Sequence, residues 1–219
     1  MKEDNSKYFA GSLLAFSVFV AFTILVQRID LQPTGLEDTV IGFGTFNLAL
    51  TRIFPFNAFW YGLSEYLGYV ALGFCLGFAL LGFARLVKGK SFKAVGTDIW
   101  ILAGFYVVVL AFYAIFEKIV INYRPIILDE GLEASYPSSH TVLAVCVFIS
   151  SFIEIEALLT EKPVLKAVLE IACVLFTVFA VCGRFLAGVH WVTDIIGGLL
   201  LSLSLILLFI SVRKSLIKS

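Results

Sequence analysis

Apolar runs of roughly 18 residues or more recur from one end of the chain to the other, each long enough to cross a hydrocarbon core of roughly 30 Å as a helix. A length of 219 residues would by itself allow one or two soluble domains, but with 60% apolar residues gathered into such runs that class is excluded. The expected fold is all-α, a polytopic membrane helical bundle with about six transmembrane helices, forming a single domain over residues 1–219. The spans read as 8–27, 65–87, 97–117, 138–157, 166–188 and 190–212. The first is too long for the core of a signal peptide and is followed by Gln27, Arg28 and Asp30 rather than a small-residue cleavage site, so it is expected to stay as a helix.

Zero formal net charge says little about partners, whereas the placement of the positive residues sets an orientation. With the N-terminus inside, the cytoplasmic segments hold Lys2, Lys7, Arg85, Lys88, Lys90, Lys93, Lys162, Lys166, Arg213, Lys214 and Lys218, against Arg28, Arg52, Lys118, Arg124 and Arg184 outside. Eleven against five puts both chain ends in the cytoplasm of a multi-pass cell-membrane protein. Cys75, Cys146, Cys173 and Cys182 fall inside the spans and read as small buried hydrophobes rather than a disulfide framework or a zinc set.

Residues 29–64 form the longest connection. "TGLE" (Thr34 to Glu37) fits a capping box, and the apolar stretch after it predicts an interfacial helical segment between the first two spans. Phe54, Phe56, Phe59, Trp60, Tyr61 and Tyr66 read as an anchoring aromatic belt in preference to a substrate gate. The glycine pairs Gly73/Gly77 and Gly197/Gly198 read as close helix packing.

Chemistry-bearing groups gather on the outer side. The loop "EKIVINYRPIILDEGLEASYPSSH" supplies Lys118, Arg124, Ser138, Ser139 and His140, and "RFLAGVHWVTD" supplies Arg184, His190 and Asp194. Both histidines of the chain are in this set. If the sixth span begins near His190, Asp194 lies one turn on along the same face. Its carboxylate can then accept a hydrogen bond from one ring N–H, which fixes the tautomer and leaves the other nitrogen as a nucleophilic lone pair. His140 suits a general acid for an alkoxide leaving group. Two histidines and an aspartate could also ligate metal, but a hydrolytic zinc site usually has three protein ligands, and the nearby cations Lys118, Arg124 and Arg184 would repel a dication. They fit a dense anion instead, as does the start of a helix at "PSSH". Asp129, Glu130 and Glu133 read as a solvated acidic loop, or else as an offset to local positive charge or a selector among headgroups.

These residues resemble the type 2 phosphatidic acid phosphatase family, whose signature runs K-x6-R-P, then P-S-G-H, then S-R-x5-H-x3-D. The chain reads "KIVINYRP", "PSSH" and "GRFLAGVHWVTD", and the resemblance covers about residues 60–212. Three positions depart from the pattern: Lys118 is one residue late, with Glu117 at the family's lysine position, Ser139 replaces glycine and Gly183 replaces serine. The resemblance implies His190 as the nucleophile forming a phosphohistidine, Asp194 as its relay partner and His140 as the acid. It implies phosphate binding by Arg124, Arg184, Ser138 and the nearby backbone, with Lys118 and Ser139 as further candidates, and no metal or cofactor.

The expected activity is hydrolysis of a phosphomonoester or pyrophosphate on a membrane lipid at the outer face, with undecaprenyl pyrophosphate, phosphatidylglycerol phosphate and phosphatidic acid as candidates. The alternatives are a phosphotransferase sharing the intermediate and a non-catalytic membrane lipid-binding or transport protein. The expected partners are the lipid substrate and the bilayer, not nucleic acid. Apolar faces on six helices serve lipid and partner subunits equally well, so the sequence sets no oligomeric state.

Overall fold

The computed structural model describes residues 2–128 and 131–217, with side chains from residue 5 onward. The Lys2 side chain, Asp129, Glu130 and Lys218, used above, lie outside what is described. Helix α1 (Lys2–Val26) leads to a two-stranded antiparallel hairpin, β1 (Gln32–Pro33) with β2 (Val40–Ile41). There follow α2 (Gly44–Ile53), α3 (Ala58–Gly89), a 3-10 turn (Phe92–Val95), α4 (Thr97–Lys118), α5 (Ser139–Leu158), α6 (Pro163–Leu186) and α7 (Val192–Leu216). Among the described residues six of these helices, all but α2, are long and apolar enough to cross a membrane.

Helices α5 and α7 form the centre of the bundle, since 56% of the apolar window of each is buried against 11–28% for the other four. One core, around Phe19, Phe105, Tyr136, Val142, Leu201 and Phe209, joins α1 and α4 to these two helices. A second, around Leu67, Ala71, Val147, Phe148, Cys173 and Ala180, joins α3 and α6 to α5. Lipid tails are as apolar as these side chains, so small residues and internal hydrogen bonds hold the helices together. The Ser12 hydroxyl donates to the Ser204 carbonyl (2.9 Å) and the Ser204 hydroxyl to the Ser12 carbonyl (3.0 Å), fastening α1 to α7. Asn5 bonds to Ser215 and Ser211, which puts both chain ends at one end of the bundle. There Arg213 pairs with the buried Glu154 at 2.8 Å.

Several sequence expectations are corrected. Helix α3 begins at Ala58, seven residues before the expected 65, because Asn57 caps it by accepting from the Trp60 N–H (3.2 Å). Its 32 residues give a length of about 48 Å, well beyond a hydrocarbon core. Thr34 does not open a helix: it accepts from the Leu36 N–H (3.1 Å) and bonds the Thr39 hydroxyl (2.6 Å), closing the hairpin through Gly35, Glu37 and Asp38, all at positive φ. The helix after it starts only at Gly44, where the Asp30 carboxylate accepts from the Thr45 N–H (2.8 Å).

The two glycine pairs also part company. A Cβ on Gly197 would lie 2.5 Å from the Tyr136 ring and one on Gly198 3.1 Å from Thr141, so these two do allow close approach. Gly73 and Gly77 meet nothing within 4 Å among the described residues; they line a groove where α3 faces Ile155 of α5 and Leu169 of α6 instead of a tight helix contact. Cys146 and Cys173 are buried as expected, Cys75 is half-buried and Cys182 is exposed.

Candidate active site

At the end of the bundle away from the chain termini, the C-terminal ends of α4 and α6 meet the N-terminal ends of α3, α5 and α7. Helix α6 stops at Leu186 and the chain turns through Gly188, whose φ of +66° and 2.7 Å approach to the Pro55 backbone exclude a side chain. This turn brings Arg184 and His190 together. Helix α7 then opens with Asp194 reaching back to accept from the Trp191 N–H (2.9 Å), a carboxylate doing the work of an N3 cap. The Trp191 indole donates to the Tyr123 carbonyl (2.7 Å) and so pins the α4–α5 loop over the site. That loop doubles back on itself, Tyr123 opposite Ala134, and carries Asn122, Arg124, Glu133 and Ser135 inward.

His190 sits at the centre, buried. Its Nδ1 lies 3.0 Å from the Ser135 hydroxyl, which in turn donates to Asp194 Oδ2 at 2.5 Å. The direct His190–Asp194 separation is 3.7 Å, too long for a hydrogen bond. The expected direct hydrogen bond is therefore corrected to a contact through Ser135: an i, i+4 spacing brings the two side chains to one face but leaves a gap that a hydroxyl from another element fills. Asp194 also accepts from Asn122 Nδ2 (2.9 Å).

On the other side of the ring, Arg184 Nη2 lies 3.3 Å from His190 Nε2. A guanidinium can only donate, so this contact requires a lone pair on Nε2 and the proton on Nδ1, facing Ser135. Burial, then the charges of Arg184, Arg124 and His140, hold His190 well below the usual histidine range. The ring is neutral at neutral pH, with its lone pair towards the arginines.

Two guanidiniums frame that lone pair. Arg184, fully buried, donates from Nη1 to Glu65 (2.7 Å) and Ser64 (3.3 Å) and lies over the Tyr61 ring at 5.5 Å. Arg124 pairs with Glu133 at 2.9 Å, so Glu133 offsets local charge rather than facing solvent. Yet Arg184 Nε, Arg124 Nε and Nη1 and His140 Nδ1 are all buried without a hydrogen-bond partner among the described residues, a costly state that an anion with several oxygens relieves. Helix α5 points its start at the same region, and no side chain caps it, so its first N–H groups remain as donors.

Of the residues marked in the sequence, Arg124, His140, Arg184, His190 and Asp194 are thus brought into one cluster. Ser138 is buried beside it, its N–H donating to the Asp194 carbonyl (3.0 Å) and its hydroxyl accepting from Thr141 (3.0 Å). Ser139 is the first residue of α5 and lines an adjoining cavity with His140; helical backbone there accepts serine where the family has glycine. Lys118 is exposed at the end of α4 and is not among the cavity-lining residues, whereas Glu117 is. The one-residue shift turns the side chain by about 100°.

Sequence reasoning missed Glu65, Asn122 and Ser135. A lone carboxylate inside an apolar span is by itself a functional signal, and Glu65 is one. Asn122 and Ser135 carried no comparable signal. Among the described residues no group of three His, Cys, Asp or Glu side chains could hold a metal ion.

The family model described as the PAP2 superfamily matches residues 101–218, more than half of the chain. The chain belongs to the PAP2 superfamily. The matched segment contains Arg124, Ser138, His140, Arg184, His190 and Asp194, and leaves out α3 with Glu65. The fold agrees: a crystal structure of a transmembrane PAP2-type phosphatidylglycerolphosphate phosphatase from Bacillus subtilis superposes with a TM-score of 0.64, covering 95% of this chain and 98% of that one at 16% sequence identity. No curated protein matches this PAP2 sequence.

Proposed function

We propose that this PAP2 protein is a metal-independent lipid phosphate phosphatase working through a phosphohistidine on His190. The observation that carries the reading is the neutral His190 Nε2 lone pair set beside buried guanidinium N–H groups that lack partners. Such donors are worth most where a phosphoryl group spreads its charge over three oxygens in the transition state.

In the first step Nε2 forms an N–P bond as the P–O bond to the lipid breaks, and a proton from His140 passes to the departing oxygen. The positive charge on His190 spreads through its Nδ1–H to Ser135 and Asp194. In the second step water attacks phosphorus, gives a proton back to His140 and releases inorganic phosphate and neutral His190. Arg124, Arg184 and the α5 N–H groups hold the phosphoryl oxygens in both steps, Ser138 shapes the start of α5, and Ser139 lies at the cavity side.

A lipid substrate is supported by a cavity of about 260 Å³ that starts at Ser135, Ser139 and His140 and continues between α4, α5 and α7 along Val109, Phe112, Phe116, Leu143 and Leu201. It leads from the polar cluster into the apolar part of the bundle, which suits a phosphate whose alkyl chain stays in the bilayer. The excess of Lys and Arg in the segments at the other end of the bundle supports an outward-facing site.

The test is phosphate release by detergent-purified protein in EDTA, offered undecaprenyl pyrophosphate, phosphatidylglycerol phosphate and phosphatidic acid, with His190→Ala alongside. Release from one lipid, abolished in the variant, is expected. Release retained by His190→Ala overturns the nucleophile, and activity that EDTA removes and one divalent ion restores overturns metal independence.

A further inference from the structure

Helix α3 lies outside the segment that the family model matches, yet one of its faces is built against the site. Tyr61, Ser64, Glu65 and Gly68 recur at helical spacing. Tyr61 lies under the Arg184 guanidinium at 5.5 Å and the Ser64 hydroxyl accepts from Arg184 Nη1 at 3.3 Å. A Cβ on Gly68 would come 3.4 Å from the His140 ring, so this position allows the ring to lie against α3. A Cβ on Gly183, one residue before Arg184, would come 3.3 Å from Ser64, so α3 and α6 meet closely at the same level.

Glu65 is the chemical centre of this face. A single oxygen, Oε1, accepts from Arg184 Nη1 at 2.7 Å and lies 3.1 Å from His140 Nε2. The carboxylate therefore links two groups that come from different helices, α6 and α5. Arg184 in turn meets His190 through Nη2, so His140, Glu65, Arg184 and His190 form one connected chain of side chains. An ionised carboxylate only accepts, so His140 carries a proton on Nε2 in this contact. Its Nδ1 has no partner among the described residues, and His140 lines the apolar cavity.

We propose that Glu65 is a positioning residue of the reaction: it holds the Nε2–H of His140 and so orients the ring, favours its doubly protonated form, leaves Nδ1–H to serve the leaving oxygen, and ties that proton donor to Arg184. It plays for the acid histidine the part that Ser135 and Asp194 play for the nucleophile. This rests on the phosphatase reading above. In the bond-breaking step the doubly protonated His140 gives its Nδ1 proton to the lipid oxygen and is left neutral with its proton on Nε2, while Glu65 keeps its charge and holds the ring. In the hydrolytic step His140 regains the proton from water with the same ring orientation.

The test separates acid assistance from general damage by changing the leaving group. An alkyl phosphate needs a proton at the departing oxygen, whereas p-nitrophenyl phosphate expels a stable phenolate and needs little help. Glu65→Gln keeps the shape and removes the charged acceptor. Its kcat on a short-chain phosphatidic acid should fall ~100-fold, within the range general acids supply. On p-nitrophenyl phosphate the first-turnover burst of p-nitrophenolate, which reports phosphorylation of His190 before the hydrolytic step, should fall less than about 5-fold, and His140→Asn should show the same selectivity in that burst. Retained aryl activity is also the control for folding, and a melting curve in detergent is the second. Equal losses on both substrates with an unchanged melting curve, or no loss on either, would overturn the proposal while leaving the phosphatase reading intact. A wild-type protein inactive on both substrates would overturn both.

Discussion

Replacing Ser135 by alanine separates His190, the proposed nucleophile, from Asp194 without touching either. In the native site the hydroxyl donates to Asp194 at 2.5 Å and faces the Nδ1 of His190 at 3.0 Å. Alanine leaves the buried Nδ1–H without a partner, a loss of about 1–3 kcal/mol, and removes a hydrogen bond to a carboxylate worth about 1.5–3 kcal/mol. Asp194 keeps Asn122 and the Trp191 N–H, both at 2.9 Å, so the second loss is partly absorbed. Direct contact would require the 3.7 Å gap to shrink by about 0.9 Å, pulling the ring away from Arg184. The charge developing on His190 in the transition state should therefore lose about 1.5–3 kcal/mol of stabilisation, lowering kcat/KM roughly 10- to 150-fold. The assay is initial-rate phosphate release for Ser135→Ala, Asp194→Asn and the double variant. A relay through Ser135 requires the double variant to lose much less than the product of the single losses. Fully multiplicative losses, or a Ser135→Ala enzyme within about 2-fold of wild type, would refute the bridge, because a hydrogen bond at this position should exceed that margin.

Lys118→Ala is expected to leave kcat/KM within about 3-fold of wild type, as for an exposed side chain away from the cluster. Arg124→Ala should cost roughly 100-fold or more through loss of a preorganised phosphate donor; steady-state kinetics on both variants checks the pair, and a large Lys118 effect would show that the lysine swings in. His190, held well below the usual histidine value of about 6.5 by burial and the Arg184, Arg124 and His140 charges, should stay neutral in the folded protein as pH falls past that value. The unfolded chain takes up that proton first, so His190 contributes stability above about pH 6.5 that is lost as pH falls towards its folded value. A kcat/KM profile and melting temperatures across the same range test this. Activity that already drops tenfold per unit from pH 6.5 downward would oppose it.

The membrane class was legible because a run of apolar residues and the helix it forms are one and the same property of the chain. Four of the six spans came within four residues at both ends, the first began six residues late, and the failure at the second arose where a cap, Asn57, precedes aromatics that also suit an interface. The pairing of Arg184, His190 and Asp194 was similarly local: a short turn and one turn of helix place all three. His140 and Arg124 were legible as members of the cluster through the motifs, but their partners were not.

What only the tertiary structure decided is which residues meet from different helices. Glu65 stands 119 positions from Arg184 and Ser135 stands 55 from His190, and no periodicity along one segment reports on the face of another. Lys118 makes the converse point, for a residue of the right type close to its motif position is carried outward by a single residue of helical rotation. Local sequence sets where a helix starts and which residues share its face. The angle at which that face meets its neighbours is set by glycines, hydroxyls and ring shapes packing together, so the polar contacts of the site exist only once the bundle has closed.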